Sequence, residues 1–360
     1  MVAVKGMVAG VSLMHGGFNG PRKAAEEAMD QQPDFMAADA GSTDAGPAFL
    51  GGETGMTHRG GIKASLEYII PLAVGKKIPF IIGSAGLGGN RAGVAFFREI
   101  IEEVAKEKGL NFRLAVINSE QDKDYLKRRL RAGKITPLAP SEPLTEEIID
   151  RSTHIVGMMG TEPVIEALQQ GADIVLCGRI SDSAMFAAVP IMKGVPLAQA
   201  WHMAKVIDHS NTNIEPVRGV DTHVIGVASD DHFLIQATNP DGMVSAHRAA
   251  HATTYENNSP YYLLEPPGML DISDSQYEQV DPRTIKVTGS RFISRTYTIK
   301  LEGAERVGYR TITVGGTRDP VLISILDEFL EICKQRTTDH AASQGRLRPI
   351  APASLIGRRR

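Results

Sequence analysis

From its start to about Ile214 the sequence alternates short apolar runs with stretches of helical periodicity. That alternation admits few folds, because neighbouring parallel strands need crossover helices, and those helices then cover both faces of the sheet. Strands are predicted over roughly Val2 to Met14, Asp34 to Ala38, Phe80 to Ile82, Phe112 to Ile117, His154 to Met158 and Asp173 to Leu176. From Asn90 to Lys108, Val94, Phe97, Ile101 and Val104 share one helix face; Asn90 is placed to cap its start and Gly109 to stop it. Thr161 as a cap, Pro163 in a first turn and Gly171 as a stop outline a strand–helix–strand unit between His154 and Cys177. Six such strands followed by a change of pattern favour an open, doubly wound sheet over an eight-stranded barrel.

The expected class is α/β: a doubly wound, mostly parallel sheet over residues 1–214, then a smaller α+β, strand-rich segment over 215–340. In that segment Val220 to Ala228 and His232 to Ala237 form a strand pair, and Thr284 to Val287, Thr296 to Leu301 and Arg310 to Val314 continue the strand-like runs. Asp319-Pro320 opens a helix through Val321, Ile325, Phe329 and Ile332. The tail, 341–360, is basic, lacks periodicity and is expected to be disordered.

Charge and apolar patterning narrow the partners. Formal net charge is −3 and the basic residues are scattered, which argues against a nucleic-acid surface. No apolar run reaches the roughly 20 residues that span a bilayer. The N-terminus, with only Lys5 ahead of a Gly-interrupted apolar stretch, reads as a first strand and not a secretion signal. Cys177 and Cys333 lie far apart, which suits free thiols in a cytoplasmic protein.

Polar and glycine-rich turns recur where the predicted strands end, the edge at which parallel α/β sheets bind ligands. The run Ile174 to Leu176 breaks at Gly178 into Arg179, Ser181 and Asp182 before apolar residues resume. Arg179 offers a planar fork for a carboxylate or phosphate, while Ser181 or Asp182 can cap the next helix. Asp39-Ala-Gly-Ser-Thr-Asp44 supplies Ser42 and Thr43 as donors and Asp39 and Asp44 as acids or metal ligands, against a plain Asp/Ser turn that caps its own backbone. The glycine-rich stretch 51–61 is a candidate lid carrying His58 and Arg59. Gly83-Ser-Ala-Gly-Leu-Gly-Gly-Asn90 does not fit a dinucleotide fingerprint but suits an anion cradle through Ser84, Gly86 and Asn90. Thr161 and Glu162 open another helix, with Glu162 a further acid/base candidate. Cys177 reads as a buried small hydrophobe. His247 and His251 share a helix face but lack the adjacent glutamate of zinc hydrolases and read as surface histidines.

Gly178-Arg-Ile-Ser-Asp182, Tyr255-Glu-Asn257, Glu265-Pro-Pro-Gly268, Lys300-Leu-Glu-Gly-Ala304, Gly308-Tyr-Arg310 and Arg318-Asp-Pro320 together make the chain resemble the acyclic terpene utilisation (AtuA) family, from about Gly41 to Ile332. The resemblance implies breakdown of carboxylic acids or their coenzyme A (CoA) thioesters. It also implies a small companion protein, as in the short subtype that lacks an extra C-terminal domain.

The first functional reading is a lyase (hydratase or dehydratase) or isomerase acting on a small hydroxy or unsaturated carboxylic acid or its thioester. Arg179 binds the carboxylate, backbone donors of the glycine-rich turns stabilise an enolate oxygen, and Asp44, Asp182 or Glu162 moves the proton. A divalent cation such as Mg held by Asp39, Asp44 or Asp182 is one option. On this reading Arg179→Met abolishes turnover and leaves the fold intact. A second reading, an actin-like phosphotransferase, needs the 39–44 turn in a hairpin between antiparallel strands. A third treats the chain as a non-catalytic or half-site subunit completed by its companion. A homo-oligomer is expected in any of them.

Overall fold

The computed structural model describes residues 3–8, 13, 22–44, 46–52, 58–209, 213–215, 223–308 and 315–343. The chain divides into two compact units, Met1–Arg306 and Val307–Arg360. The first unit runs β1 (Val4–Val8), α1 (Arg22–Asp30), β2 (Phe35–Asp39), α2 (Pro47–Gly51), α3 (Arg59–Lys76), β3 (Phe80–Gly83), α4 (Arg91–Lys108) and β4 (Leu114–Ile117). Next come α5 (Lys123–Arg131), α6 (Glu146–Arg151), β5 (Ser152–Met158), α7 (Glu162–Gln169), β6 (Ile174–Cys177), α8 (Ala184–Met192) and α9 (Leu197–Asp208). It closes with β7 (Val224–Ala228), β8 (Phe233–Ala237), α10 (Ala246–Thr254), β9 (Tyr262–Glu265), β10 (Gly268–Asp271), β11 (Gln276–Asp281), β12 (Thr284–Thr288), β13 (Arg291–Ser294) and β14 (Lys300–Glu305). In the second unit Asp319 caps α11 (Pro320–Ser324) by accepting from the Val321 amide at 2.8 Å, and α12 (Leu326–Ser343) follows.

Nine strands form one sheet in the order β11-β12-β8-β7-β1-β2-β3-β6-β4. β1, β2, β3, β6 and β4 pair in parallel; β7, β8, β12 and β11 extend the sheet antiparallel from β1. The parallel strands are apolar on both faces because both are covered. In β2, Phe35 and Ala37 join α8 and α9 in one core, while Met36 and Ala38 face α1, α3 and α4 in the other. β6 divides likewise, Val175 and Cys177 to the first core and Ile174 and Leu176 to the second. The α/β, mostly parallel reading therefore describes this sheet. α4 is capped as expected: the Asn90 side chain accepts from the Gly93 amide at 2.9 Å, and Gly109 closes the helix at φ 63°.

Two expectations meet a different arrangement. The predicted strand at His154 to Met158 is β5, but it leaves the main sheet and pairs antiparallel with β14. Its run opens with Ser152 and Thr153, the latter exposed, and so is not apolar on both faces as the sheet interior requires. The division expected near 214 falls inside one sheet, since β7, β8, β12 and β11 continue from β1. The remaining short strands make a separate sheet, β13-β10-β9. Parts of the predicted runs at 2–14 and 220–228, the run at 310–314, and residues 344–360 of the tail lie outside the described residues.

The crossing pattern fixes where a ligand site belongs. β3 leads into α4 on one face of the sheet, while its neighbour β6 leads into α8 on the other. Chains leaving adjacent strand ends in opposite directions open a crevice at the carboxyl edge, the switch point of doubly wound sheets.

Candidate active site

Three strand-end turns meet at this crevice, and their glycines let them interlock backbone to backbone. The Ser84 amide donates to the Gly178 carbonyl at 3.1 Å, the Ala85 amide to Cys177 at 3.0 Å and the Leu87 amide to Ala40 at 3.2 Å. A Cβ on Gly41 would lie 2.2 Å from the Ser84 carbonyl oxygen, and one on Gly89 would lie 2.2 Å from the Arg179 nitrogen. Gly89 also sits at φ +65°, where a side chain is strained. Residues 81–90 are buried throughout. The glycines thus serve tight packing, and the Ser84, Ala85 and Leu87 amides are engaged within the protein. Gly86 packs directly on Gly93, and all polar atoms of the Asn90 side chain are engaged, its amide nitrogen donating to the Leu50 and Gly52 carbonyls.

Arg179 is held at the centre of this junction. Its Nε donates to Glu302 of β14 at 2.8 Å, and its Nη1 donates to the Ser84 hydroxyl at 3.1 Å and to Asp182 at 3.2 Å. Its backbone amide donates to the Ser119 hydroxyl at 2.6 Å. Burial works against its charge, but Asp182 and Glu302 hold the guanidinium firmly protonated. Burial likewise opposes ionisation of Glu302, yet the Arg179 charge keeps that carboxyl below its ordinary value. Arg179 thus engages two carboxylates and a hydroxyl of the protein through its Nε and Nη1.

Around the arginine lie carboxyl groups whose protons are held by burial and mutual repulsion. Asp39, the last residue of β2, accepts from the Gly41 amide at 3.1 Å. Burial first, then Asp182 and Asp208, push its carboxyl well above the usual range. Asp208 ends α9 and is pushed up to about 8, by burial and then by Asp182. Glu265 ends β9 and accepts from the Ser181 hydroxyl at 2.7 Å; burial brings it to about 7 against the opposing effects of that bond and of Lys205. Glu256, on the turn after α10, is raised by burial and then by Asp44. His209 Nδ1 is 3.2 Å from Asp208, its Nε2 is 3.7 Å from Glu256, and burial lowers it to about 4. The group opens to solvent where Asp44, Tyr255 and Glu256 are exposed.

Of the residues singled out from the sequence, Asp39, Asp44, Ser84, Arg179, Ser181 and Asp182 belong to this assembly. Ser42 and Thr43 are half-buried in the same turn, where the Ser42 hydroxyl accepts from the Asp44 amide at 3.4 Å. Thr161 is buried at the N-cap of α7 without a side-chain cap bond. Glu162 accepts from the Tyr297 hydroxyl at 2.7 Å. Arg59 pairs with Glu103 of α4 at 2.5 Å, and His58 is exposed at the N-cap of α3, so the candidate lid residues are placed on that helix pair; residues 53–57 lie outside the described set. Cys177 is fully buried and its thiol is pushed up to about 12, in keeping with an inert core residue. The turn at 39–44 follows a strand paired in parallel on both sides and leads to α2, not to the antiparallel hairpin that the phosphotransferase reading requires. Among the described residues no three His, Cys, Asp or Glu side chains are grouped to hold a metal ion, and no helix is long and apolar enough to cross a membrane.

Lys205, Asp208, His209, Glu265 and Glu302 were not predicted, while Glu256 is the carboxylate that Tyr255-Glu-Asn257 could supply. Glu256, Glu265 and Glu302 stand inside the motifs quoted above, and Lys205 and Asp208-His209 punctuate the end of an otherwise apolar helix; those were the available signals.

Two substitutions probe this geometry. Arg179→Met leaves Glu302 and Asp182 without their buried counter-charge, and is expected to lower unfolding free energy by about 3 kcal/mol in denaturant titrations. A change within experimental error would contradict the hub assigned to it. Asp208 binds its proton more tightly folded than unfolded, so it costs no stability below about 3.8, and progressively more as pH rises to about 8. Asp208→Asn should therefore raise the melting temperature at pH 8 and gain little near pH 4; a gain independent of pH would exclude a raised carboxyl.

A family model described as acyclic terpene utilisation family protein AtuA matches residues 25–195 and 207–320. No curated protein and no solved structure matches the chain.

Proposed function

The chain belongs to the acyclic terpene utilisation (AtuA) family, and from that premise we propose that it is an acid–base enzyme, a lyase of the hydratase–dehydratase kind or an isomerase. Its substrate on this reading is a small hydroxy or unsaturated carboxylic acid or the corresponding CoA thioester. The observation that carries the proposal is the pair of buried carboxyls at the switch point, Glu265 near 7 and Asp208 near 8. A proton-transfer group works best with a pKa near the operating pH, and two carboxyls in different environments can take opposite roles.

In dehydration, ionised Glu265 removes the proton beside the carbonyl, and the electron pair of that C–H bond forms the double bond. The C–O bond to the hydroxyl breaks as protonated Asp208 delivers its proton, and water leaves. Passing the proton from Glu265 back to Asp208 resets the site. Isomerisation uses the same removal and returns the proton to a different carbon. Ser181 orients Glu265 through its hydrogen bond, and Arg179 is a positioning residue that fixes Asp182 and Glu302.

The test is proton NMR in deuterium oxide with 3-hydroxybutyrate, crotonate and their CoA thioesters, following dehydration, hydration and deuterium uptake. At least one of the four should react, and Glu265→Gln should slow it by about 10²–10⁴-fold, the usual contribution of a positioned acid or base. Reaction at the wild-type rate in Glu265→Gln, or no reaction with any of the four, would remove the proposal.

A further inference from the structure

We propose that Lys205 holds the charged oxygen of the substrate, whether the carboxylate of a free acid or the enolate oxygen that develops on a thioester. This assignment rests on the acid–base reading above. Lys205 lies on α9 three residues before Asp208 and four before His209, so the three side chains share one face at the end of the helix. It is only 8% exposed, yet among the described residues its ammonium makes no hydrogen bond and no ion pair. Its charge acts on Asp208, Glu256, Glu265 and His209, which come from α9, the turn after α10, and β9.

The Lys205 stem is buried while its ammonium is not among the fully buried unpartnered atoms, so the nitrogen stays open to an incoming anionic acceptor, with which it gains a charge-assisted hydrogen bond. Burial raises Asp208 and Glu265, so the carboxyls around Lys205 offer it less negative charge than ordinary ionised acids would. The placement also suits the chemistry. When a base removes the proton beside a thioester carbonyl, the C–H electron pair becomes the carbon–carbon double bond of the enolate and the charge moves to the carbonyl oxygen. A fixed cation facing that oxygen stabilises the charge as it forms, and return of the proton to carbon reverses the step with nothing left over.

Butyrate and butyryl-CoA are suitable probes, since neither can be hydrated or dehydrated. Calorimetry on the full chain should give a dissociation constant at least about tenfold weaker for Lys205→Met than for wild type, with Lys205→Arg regaining part of the loss. Binding of butyrate identifies the free carboxylate as the oxygen source, and binding of butyryl-CoA alone identifies the thioester. In deuterium oxide, exchange of the protons beside the butyryl-CoA carbonyl should slow by about 100-fold in Lys205→Met. Should Lys205→Met fail to fold, Lys205→Gln takes its place. Weaker binding by the variant supports the assignment even where wild type exchanges no proton, a result that would remove only the acid–base reading. Equal binding by wild type and Lys205→Met, or no binding of either probe to wild type, overturns it.

Discussion

The site depends on one buried ionic junction, Arg179 with Ser84, Asp182 and Glu302. Three segments distant in sequence meet there: the turn after β3, the turn after β6, and β14. A guanidinium in this position is favourable only because its donors are matched by ionised acceptors, and each acceptor is in turn held where the arginine points. β14 is drawn to this edge through its antiparallel pairing with β5, whose own end runs beside Ile180. The ionic junction and the backbone interlock of the glycine turns thus specify the same place from two directions.

That junction shapes the electrostatics of the carboxyl cluster beside it. Burial outweighs the lowering effect of Arg179 on Asp39 and of Lys205 on Asp208 and Glu265, and raises all three. A single carboxyl with a raised pKa has many structural explanations. Several acting on one another at the switch point of a doubly wound sheet, beside a lysine, form a set able to hold, release and return protons.

Much of the framework was legible in the sequence. Phe35 to Ala38 and Ile174 to Cys177 are apolar at successive positions because each strand is covered on both faces, and the alternation of such runs with helices gives a parallel sheet. Ser84, Arg179 and Asp182 could be placed at one edge because each follows a readable strand. Their roles were less legible. Glycine between a strand and a helix marks either an anion cradle or close backbone packing, and only the neighbours of Gly41 and Gly89 decide for packing. Arg179 as a ligand group and Arg179 as an ionic hub look alike until Glu302 appears 123 residues away in sequence. Lys205, Asp208 and Glu265 escaped notice because a carboxyl or ammonium becomes unusual through burial and through charges distant in sequence, neither of which has a local pattern.

The central claim is that carboxyl groups at this edge keep their protons at neutral pH. Carbon-13 NMR of protein labelled at the aspartate side-chain carboxyl, with Asp208 assigned by its loss in Asp208→Asn, measures this directly. The account predicts a titration midpoint near 8 for Asp208. A midpoint in the ordinary carboxylate range, about 4, would contradict it.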